Sequence, residues 1–305
     1  MTIVLLELPK CYQYRNYLIE PLTPHVLLTG MYLHRHITAI IPALNEAPSI
    51  ACVIDALLKL RVCTKCQRYV QPVHSSNVSR LCCTTAELLT IPLVDQIIVC
   101  DNGSTDDTAK VAAASGAVVV HEPEQGYGAA CLAALAAPVD KDVVVFVDGD
   151  HSVVASELPV LLDPLYQGAD LVIGSRTADL TERGALSVPQ RFGNRLASFL
   201  IRRLWHADVT DLGPFRATTQ ATLDVLQMQD RRFGWTVEMQ VRALQEAMVV
   251  VEVPVSTLRR IGQSKISGTV RGVLGAGYGI LSMILRLYRA GIDKRHNTYA
   301  LARRG

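Results

Sequence analysis

Asp148-Gly149-Asp150 closes the apolar run Val143-Val144-Val145-Phe146-Val147. A continuous β-branched stretch of this kind predicts a strand covered on both faces, as in a parallel sheet. Ligands of open α/β sheets sit at the carboxyl ends of the strands. Two carboxylates one residue apart at such an end can hold a hard divalent cation, Mg2+ or Mn2+, which in turn holds phosphate oxygens. The glycine between them lets backbone and ligand come close. Asp-Gly-Asp is also ordinary turn chemistry, so the metal reading depends on what other segments bring to the same edge.

Two other strand ends carry polar loops. Ile37-Thr38-Ala39-Ile40-Ile41 leads into Pro42-Ala43-Leu44-Asn45-Glu46. The strand 94–100 leads into Asp101-Asn102-Gly103-Ser104-Thr105-Asp106-Asp107-Thr108. Asp101 can accept hydrogen bonds from a base or ribose, and Ser104 or Thr105 can cap the next helix. Gln125-Gly126-Tyr127-Gly128-Ala129-Ala130 opens a helix, where free N–H groups can face phosphate. Helices are predicted over 49–60, 105–115 and 126–136, with strands over 117–121 and 171–174. This strand–helix alternation predicts an α/β fold with a mostly parallel sheet and helices on both faces. Beyond Arg176 the pattern weakens. Helices are expected over 191–204, 237–247 and 270–288, a short helical piece over 223–228, and a strand over 249–253. Arg191 and Arg195 are four apart and share one helix face.

The whole chain sets bounds on these readings. Its 305 residues, 50% of them hydrophobic, suit one large α/β domain or one domain plus appendages. A net charge of +2 gives no reason to expect nucleic acid as a partner. No run of 18 or more apolar residues is present, and no secretory signal is evident, which leads to the expectation of a cytoplasmic protein. Residues 1–35 carry no motif and read as an extension. Residues 61–92 interrupt the alternation with Cys63, Cys66, Cys82 and Cys83. These thiols suit either zinc or an insertion with incidental cysteines, and the adjacent second pair makes closure by all four awkward. The helix 270–288 is too short in its apolar centre to span a bilayer; it can pack on the domain or lie on a membrane surface.

Taken together, the four loop segments resemble the family 2 glycosyltransferases with the GT-A fold. The resemblance covers roughly 36–288, without the insertion. Within that family the chain is most similar to the polyprenyl-phosphate sugar synthases, the dolichyl-phosphate mannose or glucose synthases. That likeness is carried by Gly174-Ser175-Arg176, Arg191-Phe192-Gly193-Asn194-Arg195 and Thr210-Asp211-Leu212-Gly213-Pro214-Phe215-Arg216. Phe233-Gly234-Trp235-Thr236-Val237-Glu238 and Arg260-Ile261-Gly262-Gln263-Ser264-Lys265 carry it further.

The resemblance implies a GT-A domain over 36–265 and an amphipathic helix and tail over 266–305. It implies an inverting hexose transfer from UDP-glucose or GDP-mannose to a polyprenyl or dolichyl phosphate. Pro42, Ala43, Asn45, Glu46 and Asp101 would line the nucleoside pocket, with Gly126 and Gly149 close to the donor. Asp148 and Asp150 would contact the Mg2+ or Mn2+ and the diphosphate. Arg176, Arg191 and Arg195 would hold acceptor or donor phosphate. Arg260 and Lys265 would close over the diphosphate. A hydroxyl acceptor would instead require a carboxylate base, with Asp211 and Glu238 as candidates; each also has a simpler structural reading, as an arginine partner or an acid at a helix start. The family's usual second aspartate after Asp101 is Asn102 here, and the membrane-spanning helices that many relatives carry have no counterpart, which leaves peripheral contact through 270–290. A non-catalytic nucleotide-sugar binder is a further alternative. A nucleotidyltransferase fits poorly, since 42–46 has neither a Gly-rich loop nor a basic residue.

Overall fold

The computed structural model describes residues 35–64, 69–70, 90–262 and 270–302. Its centre is a seven-stranded sheet in the order β10-β8-β9-β7-β1-β5-β6. The strands are β1 (Ile37–Ala43), β5 (Gln96–Asp101), β6 (Val118–His121), β7 (Val143–Phe146), β8 (Leu171–Thr181), β9 (Arg216–Thr219) and β10 (Val250–Thr257). β1 pairs in parallel with β5 and β7, β5 with β6, and β10 with β8. β9 alone runs the other way, antiparallel to both β7 and β8. Six strands therefore end at one edge of the sheet, and the reversed strand begins there.

The predicted α/β architecture is present, with helices packed on both faces. β1 and β7 are buried almost end to end, as their unbroken apolar text requires. On one face the core is built by α1 (Ile50–Leu58), α2 (Thr108–Ala114) and α4 (Leu158–Tyr166). On the other, α3 (Tyr127–Leu135), α6 (Gln220–Leu226) and α7 (Trp235–Gln245) pack around Phe146 and Trp235, whose rings meet edge to face at 6.0 Å. A third apolar cluster joins α7 to α5 (Val188–Trp205) and α8 (Val270–Ala302). α5 starts at a capping box: the Gln190 N–H donates to Ser187 Oγ, and the Ser187 N–H donates to Gln190 Oε1.

Several elements differ from the sequence reading. β8 extends to Thr181 instead of stopping at Gly174, and α8 continues well past 288. α4 and β9 were not anticipated. The ends of the 61–92 insertion form a small antiparallel sheet of β2 (Arg61–Cys63), β3 (Tyr69–Val70) and β4 (Thr90–Pro92), in the order β3-β2-β4. Cys63 is buried there. Cys66, Cys82 and Cys83 lie outside the described residues, as do the extension 1–34 and Lys265. Among the described residues no helix is long and apolar enough to cross a membrane.

Candidate active site

The loops after β1 and β5 are stitched together. Asn45 takes a left-handed backbone, φ 52°, a conformation that asparagine tolerates better than most residues. Its N–H donates to Ser104 Oγ (2.9 Å), and its Oδ1 accepts from the Thr105 N–H (2.7 Å). The Glu46 N–H donates to Thr108 Oγ1 at 2.8 Å. At the same sheet edge lies a cavity of about 820 Å3, within the size range of small-molecule sites. Pro42, Ala43, Glu46, Gly126 and Gly149 line it, together with Asp148, Asp150 and Arg260. Asn45 and Asp101 are not on its wall. Asp101 is buried and accepts from the Ser104 N–H (3.3 Å), with His121 Nδ1 also at 3.3 Å.

Asn102 does line this cavity, and its amide holds the opposite wall. Nδ2 donates to the carbonyls of Glu122 (3.0 Å) and Glu124 (2.7 Å), while Oδ1 accepts from the Gly126 N–H (2.7 Å). The position uses a donor and an acceptor at once, which only an amide side chain of this length supplies. The replacement of the family's aspartate is therefore a structural latch and not merely a lost charge.

The glycines at the head of α3 serve a backbone contact. A Cβ on Gly126 would lie 2.0 Å from the Arg231 carbonyl oxygen, and one on Gly128 would lie 2.0 Å from that of Asp230. The Gly128 and Ala129 N–H groups donate to the carbonyls of Arg232 (3.1 Å) and Arg231 (2.8 Å). Donors that the sequence reading offered to phosphate are thus given to protein.

Asp148 and Asp150 stand at the end of β7, as predicted. Tyr127 Oη donates to Asp148 Oδ1 at 3.2 Å. Arg260 Nη2 lies 3.1 Å from Asp150 Oδ2, the Ser152 N–H donates to Asp150 Oδ1 (3.0 Å), and the Ile261 N–H donates to the Asp150 carbonyl (2.9 Å). Burial pushes the Asp148 carboxyl up to about 7, and the Asp150 charge adds to this; Arg260, the Tyr127 hydroxyl and Arg176 pull the other way. A carboxylate pair short of compensating charge fits a divalent cation. Among the described residues no group of three or more His, Cys, Asp or Glu side chains gathers to bind one. Two protein carboxylates would leave the remaining positions to diphosphate oxygens and water, the usual arrangement for Mg2+.

A second cavity, of about 440 Å3, adjoins the first and shares Tyr127, Asp148, Gln190, Phe233 and Arg260 with it. Arg176 lies on its wall. The remaining lining is mainly apolar, with Phe192 and Leu196 from α5, Leu212, Phe215 and Val255 from the sheet edge, and Ile280 from α8. Arg176 is fixed by Asp211: Nε to Oδ2 is 2.8 Å, Nη2 to Oδ1 is 2.7 Å, and the Arg176 N–H donates to Oδ2 at 2.7 Å. Despite burial, those bonds hold the Asp211 carboxyl below the usual carboxylate range.

The other predicted residues are placed elsewhere. Glu238 is fully buried and lines neither cavity. It accepts from the N–H groups of Gln229 (3.0 Å) and Asp230 (2.6 Å) and pairs with Arg242 at 2.9 Å, so it anchors the 229–232 loop that rests on α3. Arg191 and Arg195 do share a face of α5, but that face is exposed, and neither lines a cavity. The sequence reading passed over Tyr127, Asn102 and Phe233 as cavity residues. Tyr127 lay inside a quoted motif, and its hydroxyl was the available signal.

Residues 38–224 match the family model described as Glycosyl transferase family 2. An uncharacterised glycosyltransferase of Mycobacterium tuberculosis is 40% identical over 190 residues, 61% of this chain and 85% of that protein. A dolichyl-phosphate hexose transferase of Haloferax volcanii is 34% identical over 175 residues, covering 55% and 73% of the two chains. Among solved structures, glucosyl-3-phosphoglycerate synthase from Mycobacterium tuberculosis, in complex with Mg2+ and uridine diphosphate, superposes with a TM-score of 0.60 at 22% identity, over 87% of this chain and 83% of that one. That likeness gives the fold, and the family match covers more than half of the sequence. The chain belongs to glycosyl transferase family 2 and is a glycosyltransferase.

Proposed function

We propose that this enzyme moves a hexose from a nucleoside-diphosphate sugar to a polyprenyl phosphate, with inversion at the anomeric carbon. The observation that carries the reading is the apolar cavity, walled in part by Arg176, that meets the donor cavity at Tyr127, Asp148 and Arg260. A short isoprenoid segment suits a wall of Phe192, Leu196, Leu212, Phe215 and Ile280. At its inner end Arg176 offers a fixed cation to the phosphate, since Asp211 locks the guanidinium in place.

The acceptor then brings its own nucleophile. A phosphate monoester has a second pKa near 6 and is largely a dianion at neutral pH. One of its oxygens attacks the anomeric carbon, the bond to the donor diphosphate breaks, and no proton has to be removed. This matches the site: of the described residues lining the apolar cavity, Asp148 is the single carboxylate. Asp211 is tied to Arg176, and Glu238 is enclosed in its own network, so neither is poised as a base. Asp148 and Asp150 would hold Mg2+ or Mn2+, which neutralises charge building on the leaving diphosphate. Arg260, already beside Asp150, is placed to do the same from the facing loop. The dolichyl-phosphate hexose transferase of Haloferax volcanii supports this acceptor class; the structural neighbour, glucosyl-3-phosphoglycerate synthase, supplies the contrast, a small polar phosphate monoester.

The test is nucleoside-diphosphate release with Mn2+, from UDP-glucose and from GDP-mannose, alone, with a short polyprenyl phosphate, or with 3-phosphoglycerate. Release that requires the polyprenyl phosphate is expected. Release that requires phosphoglycerate, or that ignores both acceptors, would overturn the lipid-phosphate assignment.

A further inference from the structure

α5 and α8 lie side by side. Their middle turns flank the apolar cavity, and further along Trp205 meets Tyr288 edge to face at 6.0 Å. Each helix buries one face: Ala197 and Ile201 on α5, and Met283, Ile284 and Leu287 on α8. Their outer faces are not polar. On α5, Val188, Phe192 and Phe199 are exposed, Phe192 to 68%. On α8, Leu274, Tyr278, Leu281 and Leu285 are exposed, Tyr278 to 78%. At 3.6 residues per turn those four fall within an arc of about 60°.

The charge on these faces has one sign. On α5, Arg191, Arg195, Arg202 and Arg203 alternate with the exposed apolar residues, and Arg289 is exposed on α8. None of these five is ion-paired among the described residues. Neither 188–205 nor 270–291 contains an aspartate or glutamate. Apolar side chains set among arginines with no acid between them make a face that suits the boundary of an anionic bilayer. A second copy of the chain is a poor occupant, because self-association would set these arginines against their counterparts with no carboxylate on the face to meet them. Phe192 and Leu281 are at once exposed and part of the cavity wall, so the cavity opens on this same face.

We infer that the paired outer faces of α5 and α8 dock on an anionic lipid bilayer, so that the apolar cavity opens towards the membrane. The docking surface stands on exposure and charge; its use in acceptor delivery rests on the lipid-phosphate reading above. Arg191 and Arg195, expected from sequence to hold acceptor phosphate, are on this view contacts for lipid headgroups.

The experiment is co-sedimentation of the full chain with phosphatidylcholine vesicles, with and without phosphatidylglycerol, over a range of salt. Two variants avoid the cavity wall: Phe199→Ser/Tyr278→Ser/Leu285→Ser and Arg202→Gln/Arg203→Gln. Wild type should bind the anionic vesicles and be released by salt. The arginine variant should bind about thirtyfold more weakly, and the apolar variant at least as poorly. Both should turn over a short, water-dispersed polyprenyl phosphate at the wild-type rate, yet lose turnover of a long-chain acceptor embedded in vesicles. Lack of vesicle binding by wild type, or binding unchanged in both variants, would overturn the docking face. So would self-association that the same substitutions abolish. Vesicle binding lost as expected in the variants, with no turnover of any lipid phosphate, would uphold the surface and refute the acceptor reading instead.

Discussion

Asn102→Asp separates a latch from a missing charge. The substitution is isosteric, so it opens no cavity, and the carboxylate can still accept from the Gly126 N–H. What it removes is the donor to the Glu122 and Glu124 carbonyls, at 3.0 and 2.7 Å. Each carbonyl then faces an oxygen in a half-buried setting, where an unsatisfied polar group costs up to about 1–3 kcal/mol. The new charge also stands next to Asp101. Residues 122–126 are a loop whose carbonyls can turn towards water, so the structure should relieve part of this cost by letting the loop go. About 2 kcal/mol is the expected net loss, roughly thirtyfold in any equilibrium that needs the loop closed. Nucleotide affinity by calorimetry should fall by that order, and the Gly126 amide should exchange faster with solvent. Asn102→Ala should weaken binding similarly without adding charge. Lowering the pH towards the carboxylate range should partly rescue the Asp variant, because its protonated form regains one donor, and should not rescue the Ala variant. Wild-type affinity together with unchanged exchange at 122–126 would refute the latch.

Four further outcomes follow from the same geometry. Gly128→Ala places a methyl group 2.0 Å from the Asp230 carbonyl oxygen and should destabilise the fold by about 1–3 kcal/mol, read as a lower melting temperature; an unchanged melt would contradict the contact. Arg176→Lys keeps the charge but cannot reproduce the two-pronged pair with Asp211, so kcat/KM should fall at least tenfold, whereas equal activity would show that the fork is dispensable. Asp150→Ala should abolish metal-dependent turnover and Mn2+ binding by calorimetry, and retained binding would remove it from the metal site. Asp148 titrates near 7 in the fold against about 3.9 in an unfolded chain, so between these values the native state holds a proton that the unfolded state has released; its contribution to stability is full below about pH 4 and lost as pH rises through about 7. Melting in chelator should show that decline, Mn2+ should reverse it most strongly at high pH, and Asp148→Asn should flatten it.

What was legible in the sequence was the sheet and the positions of its loops. Ile37-Thr38-Ala39-Ile40-Ile41 and the run 143–147 are buried on both faces, and such strands leave an unbroken apolar record that stops where the chain leaves the sheet. β9 left no record, because Arg216-Ala217-Thr218-Thr219 becomes a strand only through its neighbours on either side. Arg216 is buried by donating to the carbonyls of Gly213 and Thr236, both at 2.7 Å, which no local pattern announces. α4 was hidden by Pro159 and Pro164, one tolerated in the first turn and the other carried inside the helix. Helical spacing placed Arg191 and Arg195 on one face correctly, yet spacing says nothing about which way a face points, and this one points outwards.

The same limit applies to chemistry, and it bears on mechanism. Asp211 and Glu238 have the residue type of a general base, and the sequence offered both for that reason. A carboxylate acts as a base only if its lone pairs are free to take a proton. Asp211 accepts from the Arg176 guanidinium, from the Arg176 N–H and from the Leu212 N–H. Glu238 accepts from two backbone N–H groups and from Arg242. Protonating either would break bonds that hold a loop or the Arg176 fork in place. A hydroxyl acceptor would therefore ask the site to dismantle its own scaffold in each turnover, whereas a phosphate acceptor arrives already ionised. Arg176→Lys tests this directly. If Asp211 serves only to orient the guanidinium, the variant should raise KM for the phosphate acceptor more than it lowers kcat, and the pH profile should keep its shape. If Asp211 is the base, loosening its partner should instead move the acid limb of kcat.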